Sequence, residues 1–257
     1  MDNSHPGAES KVAALTFGFW IIKIFATTLG EVGGNALSQT EGFGYLASTA
    51  IFGMLLIVAV VAQIRAERFY PSLYWCVIVA TTLAGTTMAD LCDRSLGIGY
   101  LGGSLLLFSL VIATLALWYR TMGSVAINTV TSPKVEAFYW TTIMFSQTLG
   151  TALGDWMADS TGLGYNGSAL LIGAALVVIA ALYYLTDVSH TFLFWAAFIL
   201  TRPLGATLAN SLDKPAANGG LGINDVTLSA AFAVLIIVSL FVVPQQAGSH
   251  APARRSS

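Results

Sequence analysis

The chain has 257 residues, 56% of them hydrophobic and only 9% charged, with a formal net charge of −2. Soluble domains carry roughly 25% charged residues, so a chain this poor in charge, with a mean hydropathy of +0.74, is built for lipid. A soluble enzyme, a nucleic-acid binder and a secreted disulfide scaffold are excluded. The charge balance offers nothing to a phosphate backbone. Two cysteines (Cys76 and Cys92) and three histidines are too few for a disulfide framework or a His-based metal cage. Cys76 reads as a small buried hydrophobe.

Apolar stretches of about 20 residues cross the roughly 30 Å hydrocarbon core as helices. Eight occur in order: 12–33, 43–64, 69–89, 98–119, 137–155, 163–185, 191–210 and 223–243. The first apolar run is long enough to span and follows a polar start, so no cleavable signal peptide is expected. The spans divide the chain into an N-terminal tail (1–11), two two-helix units (12–68 and 69–120), a linker (121–136) and two further units (137–190 and 191–243). The Ala/Pro/Ser/Arg-rich tail, 244–257, is expected to be disordered. Lys11, Arg65, Arg68, Arg120, Lys134, Arg254 and Arg255 fall on one side of the membrane, and Arg94 and Lys214 on the other. By the positive-inside rule both termini and the linker are cytoplasmic.

Self-similarity is the strongest signal. Trp20, Trp75, Trp140 and Trp195 are spaced by 55, 65 and 55 residues, each preceded by Phe or Tyr. Ten residues after each Trp stands a glycine (Gly30, Gly85, Gly150, Gly205), and fifteen after stands Asn35, Asp90, Asp155 or Asn210. A Gly-x-Gly follows in each copy, beginning at Gly42, Gly97, Gly162 and Gly220; the fourth arrives three residues late, so its turn is expected to be rebuilt. Periods of this kind mark repeat architectures. Two spans per unit return the chain to its starting side, so the copies are parallel rather than inverted. The fold expected is an all-α integral membrane protein: eight transmembrane helices, built as four parallel two-helix repeats in a pseudo-symmetric bundle.

The segments Ala26-Thr27-Thr28-Leu29-Gly30-Glu31, Ala80-Thr81-Thr82-Leu83-Ala84-Gly85-Thr86-Thr87, Thr148-Leu149-Gly150-Thr151-Ala152-Leu153-Gly154-Asp155 and Thr201-Arg202-Pro203-Leu204-Gly205-Ala206 carry a resemblance. Over about residues 19–243 the chain resembles a bacterial inner-membrane family with four tandem copies of a short membrane repeat of unknown function. The resemblance implies the same span count and a bacterial inner (plasma) membrane. It implies no activity.

The odd-numbered spans hold nearly all the intramembrane polarity. Counting from each Trp, positions +7, +11 and +15 share a helix face. They read Thr27, Glu31, Asn35; Thr82, Thr86, Asp90; Gln147, Thr151, Asp155; and Arg202, Ala206, Asn210. Polar groups in hydrocarbon are costly, so these faces should turn towards one another. Lys23 and Arg202 are expected as counter-charges, with Arg202 reaching Glu31 if the repeats close into a ring. The repeat glycines are hinges or packing contacts, and Pro203 favours a break in span seven. The Gly-x-Gly turns are read as tight reversals, since no Lys-Ser/Thr follows to hold a phosphate.

Asp, Asn, Glu and Thr are hard oxygen ligands that suit Mn²⁺ or Mg²⁺ better than soft metals. The function expected is a transporter or permease for a small cation, Mn²⁺ ahead of Mg²⁺, through a polar core formed by the odd helices. Glu31, Asp90 and Asp155 would be its charged ligands, and no cofactor is expected beyond such a bound ion. A small polar organic or anionic solute is the alternative, and a membrane sensor or scaffold the next. An intramembrane hydrolase is least favoured, because Asp155 lacks the Gly-x-Gly-Asp of paired-carboxylate proteases. The partners expected are the lipid bilayer and the solute, with no nucleic acid; a homo-oligomer is left open.

Overall fold

Five of the eight long helices start at a side-chain cap or a proline. Thr16, Ser132, Ser189 and Asn224 accept backbone N–H groups at the starts of α1 (Phe17–Asn35), α5 (Pro133–Asp155), α7 (His190–Asp213) and α8 (Asp225–Val242). Pro71 opens α3 (Pro71–Asp90), and Pro133 opens α5, where a missing N–H costs nothing. The remaining helices are α2 (Gly44–Arg65), α4 (Tyr100–Met122) and α6 (Gly164–Leu185). The computed structural model describes residues 10–248, and among them the architecture is helical, with one isolated antiparallel bridge between Ala13 and Ala247.

The odd helices form an inner ring in the order α1, α3, α5, α7, and α7 packs back on α1. The even helices form the outer shell. Each packs on the odd helix that follows it, α2 on α3, α4 on α5 and α6 on α7, and α8 closes the circle on α1. The packing unit is therefore offset by one helix from the repeat as the sequence is written. Burial follows the layers: 67% of the apolar window is buried in α3 and α7, against 11% in α2, α6 and α8. Met54, Ile57, Leu105, Leu170, Val177 and Phe241 point outwards from the shell, as lipid-facing side chains should.

Among the described residues six helices are long and apolar enough on composition alone to cross a membrane; α1 and α5 are not among them. Both are nonetheless of spanning length, with 19 and 23 residues. Lys23 and Glu31 in α1, and Gln147 in α5, are fully or almost fully buried. A helix enclosed by protein can carry polar groups that a lipid-facing one cannot.

On the side where the chain starts and ends, residues 10–14 pair with 246–248 and lie against the α4–α5 connection. Lys11, counted above as a free cytoplasmic charge, is buried. Its Nζ donates to the Gln63, Ile64 and Ala66 carbonyls at the end of α2 and pairs with Glu136 at 2.5 Å. The linker is shorter than expected, 123–132, because α4 and α5 extend into it. The C-terminal tail is ordered as far as Gly248; the rest of the segment expected to be disordered lies outside the described residues. Cys76 is exposed rather than buried, since it sits on the face of α3 turned away from the ring.

On the far side, both glycines of the first three Gly-x-Gly turns have positive φ, between +63° and +78°. That region is open to glycine and strained for other residues, so these turns are chain reversals. In the fourth copy positive φ moves to Gly219 and Gly222, around a 3₁₀ turn at Ala216–Asn218, which is the rebuilt turn the late spacing predicts.

Candidate functional site

Four residues nearly complete a helical turn, so offsets −1, +3, +7, +11 and +15 from each Trp stack along one face. In the ring they form five successive tiers of four side chains, all 5% exposed or less. The −1 tier is aromatic: Phe19, Tyr74, Tyr139 and Phe194. Each of these rings packs on the Trp of the next repeat, at 5.4 Å for Phe19–Trp75, 5.6 Å for Tyr74–Trp140, 6.2 Å for Tyr139–Trp195 and 6.2 Å for Phe194–Trp20. The last pair closes the circle. The Tyr74 and Tyr139 hydroxyls bond each other at 2.9 Å. This aromatic layer closes the terminal end of the axis.

The repeat glycines obey the same cyclic rule. A Cβ on Gly30 would stand 2.3 Å from Thr82 Cβ, one on Gly150 2.2 Å from Arg202 Cγ, and one on Gly205 2.2 Å from Thr27 Oγ1. Gly85 meets Gln147 less tightly, at 3.1 Å. Every +10 glycine thus admits the +7 residue of its neighbour. The odd helices run unbroken through these glycines and through Pro203, so the glycines pack and no break occurs at Pro203. The threonine hydroxyls bond backbone on both sides of these contacts: Thr82 donates to the Ala26 carbonyl at 3.1 Å, and Thr27 lies 3.3 Å from the Thr201 carbonyl.

At mid-axis a single guanidinium gathers the ring. Arg202 Nη1 donates to the Thr27 carbonyl at 3.0 Å. Its Nη2 donates to Glu31 Oε2 at 3.0 Å, to Thr151 Oγ1 at 2.7 Å and to Thr86 Oγ1. One residue of α7 therefore contacts +11 residues of the other three inner helices. The expected Arg202–Glu31 closure is present. Lys23, expected as a second counter-charge, is fully buried with its Nζ 4.0 Å from the centre of the Phe198 ring. Among the described residues it has no hydrogen-bond partner; the same holds for both amide atoms of Gln147 and for Arg202 Nε.

The +15 tier lies at the far end. Arg94 Nε donates to Asp90 Oδ1 at 2.8 Å and its Nη2 to Asp155 Oδ2 at 3.4 Å, while Asn210 Nδ2 approaches Asp155 Oδ1 at 3.4 Å and Gln39 donates to Asn35 at 2.8 Å. Arg94 and Gln39 occupy +19, one turn beyond the tier, in five-residue π-helical segments at Leu91–Ser95 and Ala36–Thr40. A third π segment, Trp156–Ser160, continues α5. Arg94 was legible only as a loop charge, although its i+4 spacing from Asp90 was a usable signal. The aromatic −1 tier was visible as a pattern without a role.

Glu31, Asp90 and Asp155 do not converge on one metal site: among the described residues no three of His, Cys, Asp and Glu gather around a point that would hold an ion. Glu31 and Asp90 lie four positions apart along the repeat, about one turn, and each carboxylate already faces a guanidinium.

The family whose description is Repeat of Unknown Function (DUF347) matches the chain four times, over residues 18–69, 73–124, 138–189 and 193–243. The chain belongs to this repeat family. Each DUF347 copy begins within two residues of its Trp and runs through one inner and one shell helix. No curated protein and no solved structure matches the chain.

Proposed function

We propose that this DUF347 protein is a transporter that moves a small polar solute along the axis of the four odd helices. One observation carries the reading: in three consecutive tiers of the membrane-embedded axis, +7, +11 and +15, every side chain is buried and all but Ala206 are polar. Threonine, asparagine and glutamine also knit packed membrane helices, so the weight falls on Glu31, Asp90, Asp155 and Arg202, because intramembrane ionisable groups commonly mark solute or proton paths. In this reading the aromatic layer closes the terminal end and Arg94 bridges the far end. The bilayer is a bacterial inner membrane with both termini cytoplasmic, following the Lys/Arg distribution.

A divalent cation, Mn²⁺ ahead of Mg²⁺, is the second reading. The +15 tier favours it, because Asn35, Asp90, Asp155 and Asn210 place four oxygen-bearing side chains at one level, with Arg94 bridging the two carboxylates. The test is solute flux into proteoliposomes holding the full chain, with a panel of Mn²⁺, Mg²⁺ and small organic anions. Saturable uptake of a panel member, reduced by Thr151→Val, is the expected result. Folded protein that moves none of them removes the transport reading.

A further inference from the structure

The stretch of axis between the aromatic layer and the Arg202 guanidinium has chemistry that the carboxylate tiers do not share. Its +3 tier is Lys23, Ile78, Ile143 and Phe198, each completely buried. One turn further along stand Gln147 and the inner edge of Arg202. Their shared location follows from the contacts. Lys23 lies one turn before Thr27, whose carbonyl holds Arg202, and its ammonium rests on Phe198, one turn before Arg202 on α7. Gln147 lies one turn before Thr151, which also holds Arg202.

The charges do not cancel in this stretch. Arg202 is matched by Glu31 at 3.0 Å, and the next carboxylates, Asp90 and Asp155, are engaged by Arg94 at the far end. Lys23 has no anionic partner among the described residues, so nothing in the stretch balances its ammonium form. A buried, unpaired ammonium is strongly disfavoured in a low-dielectric interior. Gln147 is likewise buried with both amide atoms unpartnered, and the Arg202 Nε–H is a third free donor. These three donors, with net charge +1 when Lys23 is protonated, stand in the two tiers that also hold Ile78, Ile143 and Phe198.

We propose that this stretch is an anion site, and that its ligand is a small monocarboxylate. The carboxylate would be held by Lys23 Nζ, the Gln147 amide and Arg202 Nε, with its short apolar body against Ile78, Ile143 and Phe198. One positive charge matches one carboxylate; a doubly charged anion would bring a second charge into hydrocarbon without a partner. A spherical halide would leave the apolar wall unused. The inference rests on the axis being the transport path, and it names the solute of that path.

The test is carried out on the full chain purified in detergent, at constant sodium concentration, with pyruvate and acetate as probes and chloride as control. Thermal melting is expected to shift upwards saturably with either monocarboxylate and not with chloride. In Lys23→Met, which removes the charge and keeps the length, the affinity is expected to fall about ten- to a hundredfold. The melting temperature without added anion should not fall in this variant, because a buried unpaired charge has been removed. Gln147→Leu is a second variant, expected to weaken the response without abolishing it. No response to either probe, an equal response to chloride, or an undiminished response in Lys23→Met overturns the proposal. Counterflow of radiolabelled pyruvate in proteoliposomes separates the two claims. Binding without counterflow upholds the anion site and removes transport; Mn²⁺ uptake with no monocarboxylate binding upholds transport and overturns the anion site.

Discussion

Arg202 joins four helices with one side chain, and its energetics follow from its burial. Removing one member of a buried ion pair leaves the other uncompensated, at a cost of about 3–5 kcal/mol. Arg202→Met and Glu31→Gln should therefore each lower the melting temperature clearly, while the double variant should be more stable than the sum of the two losses predicts. Strict additivity in that double-mutant cycle would mean that the pair is not coupled. The glycines give a second contrast. Gly30→Ala drives a methyl group to 2.3 Å from Thr82 Cβ, whereas Gly85→Ala places one 3.1 Å from Gln147. Overpacking costs about 1–3 kcal/mol, so Gly30→Ala should be the more destabilising of the two in thermal melts, and the reverse order would contradict the ring geometry. At this scale much was legible in the sequence. The Trp-based offsets placed Thr27, Thr86, Thr151 and Arg202 on one face, and the Arg202–Glu31 contact followed once a ring was assumed. The surroundings of Glu31, Asp90 and Asp155 were less legible, because an offset in sequence carries no information about which cation reaches a carboxylate first. Arg94 took that place from beyond the predicted helix end, in a π-helical turn that apolar periodicity does not register.

Among the elements, the π segments explain how the far end is built. They continue α1, α3 and α5 for five residues each, and they carry Gln39 and Arg94 over the side chains one turn earlier. Such turns commonly accompany functional sites. In the fourth copy Pro215 follows directly after Lys214, and a residue before proline is disfavoured in helical conformation. There the helix stops, and a 3₁₀ turn replaces the π segment. The three-residue delay in the Gly-x-Gly spacing exposed that difference before any coordinates. The sequence did not show that α2 packs on α3 rather than on α1, or that α8 closes on α1, because apolar periodicity fixes a helix and its buried face but not its neighbour. The closed circle has a direct consequence. Residues 12–14 and 246–248 are already hydrogen-bonded together, so a circular permutant that joins the present ends and opens the chain between α4 and α5 should fold. Its melting temperature should lie close to that of the parent. An aggregated or helix-poor permutant would show that α8 and α1 do not form the contact on which the ring depends.

Taken as a whole, the molecule is two concentric layers with opposite duties. The shell meets lipid with apolar side chains, while the inner ring keeps its ionisable groups on an axis closed by aromatics at one end and bridged by Arg94 at the other. The layered division was legible from composition, since the even spans are almost wholly apolar and the odd ones are not. Pseudo-fourfold symmetry is kept in backbone and packing and abandoned in charge: Lys23, Glu31 and Arg202 are each the one charged residue at their offset, and the +19 position reads Gln39, Arg94, Asp159 and Lys214. On the transport reading proposed above, that asymmetry belongs to a solute path. The measurement that tests this most directly is thiol accessibility along the axis. Single cysteines at Ile78, Thr82 and Thr86, in a protein also carrying Cys76→Ser and Cys92→Ser, would be exposed to a membrane-impermeant thiol reagent in intact proteoliposomes. The axis account predicts that all three react, faster than a cysteine at lipid-facing Ile57 and more slowly when the transported solute is present. Axis cysteines as inert as the one at Ile57, in protein that melts cooperatively, would contradict it.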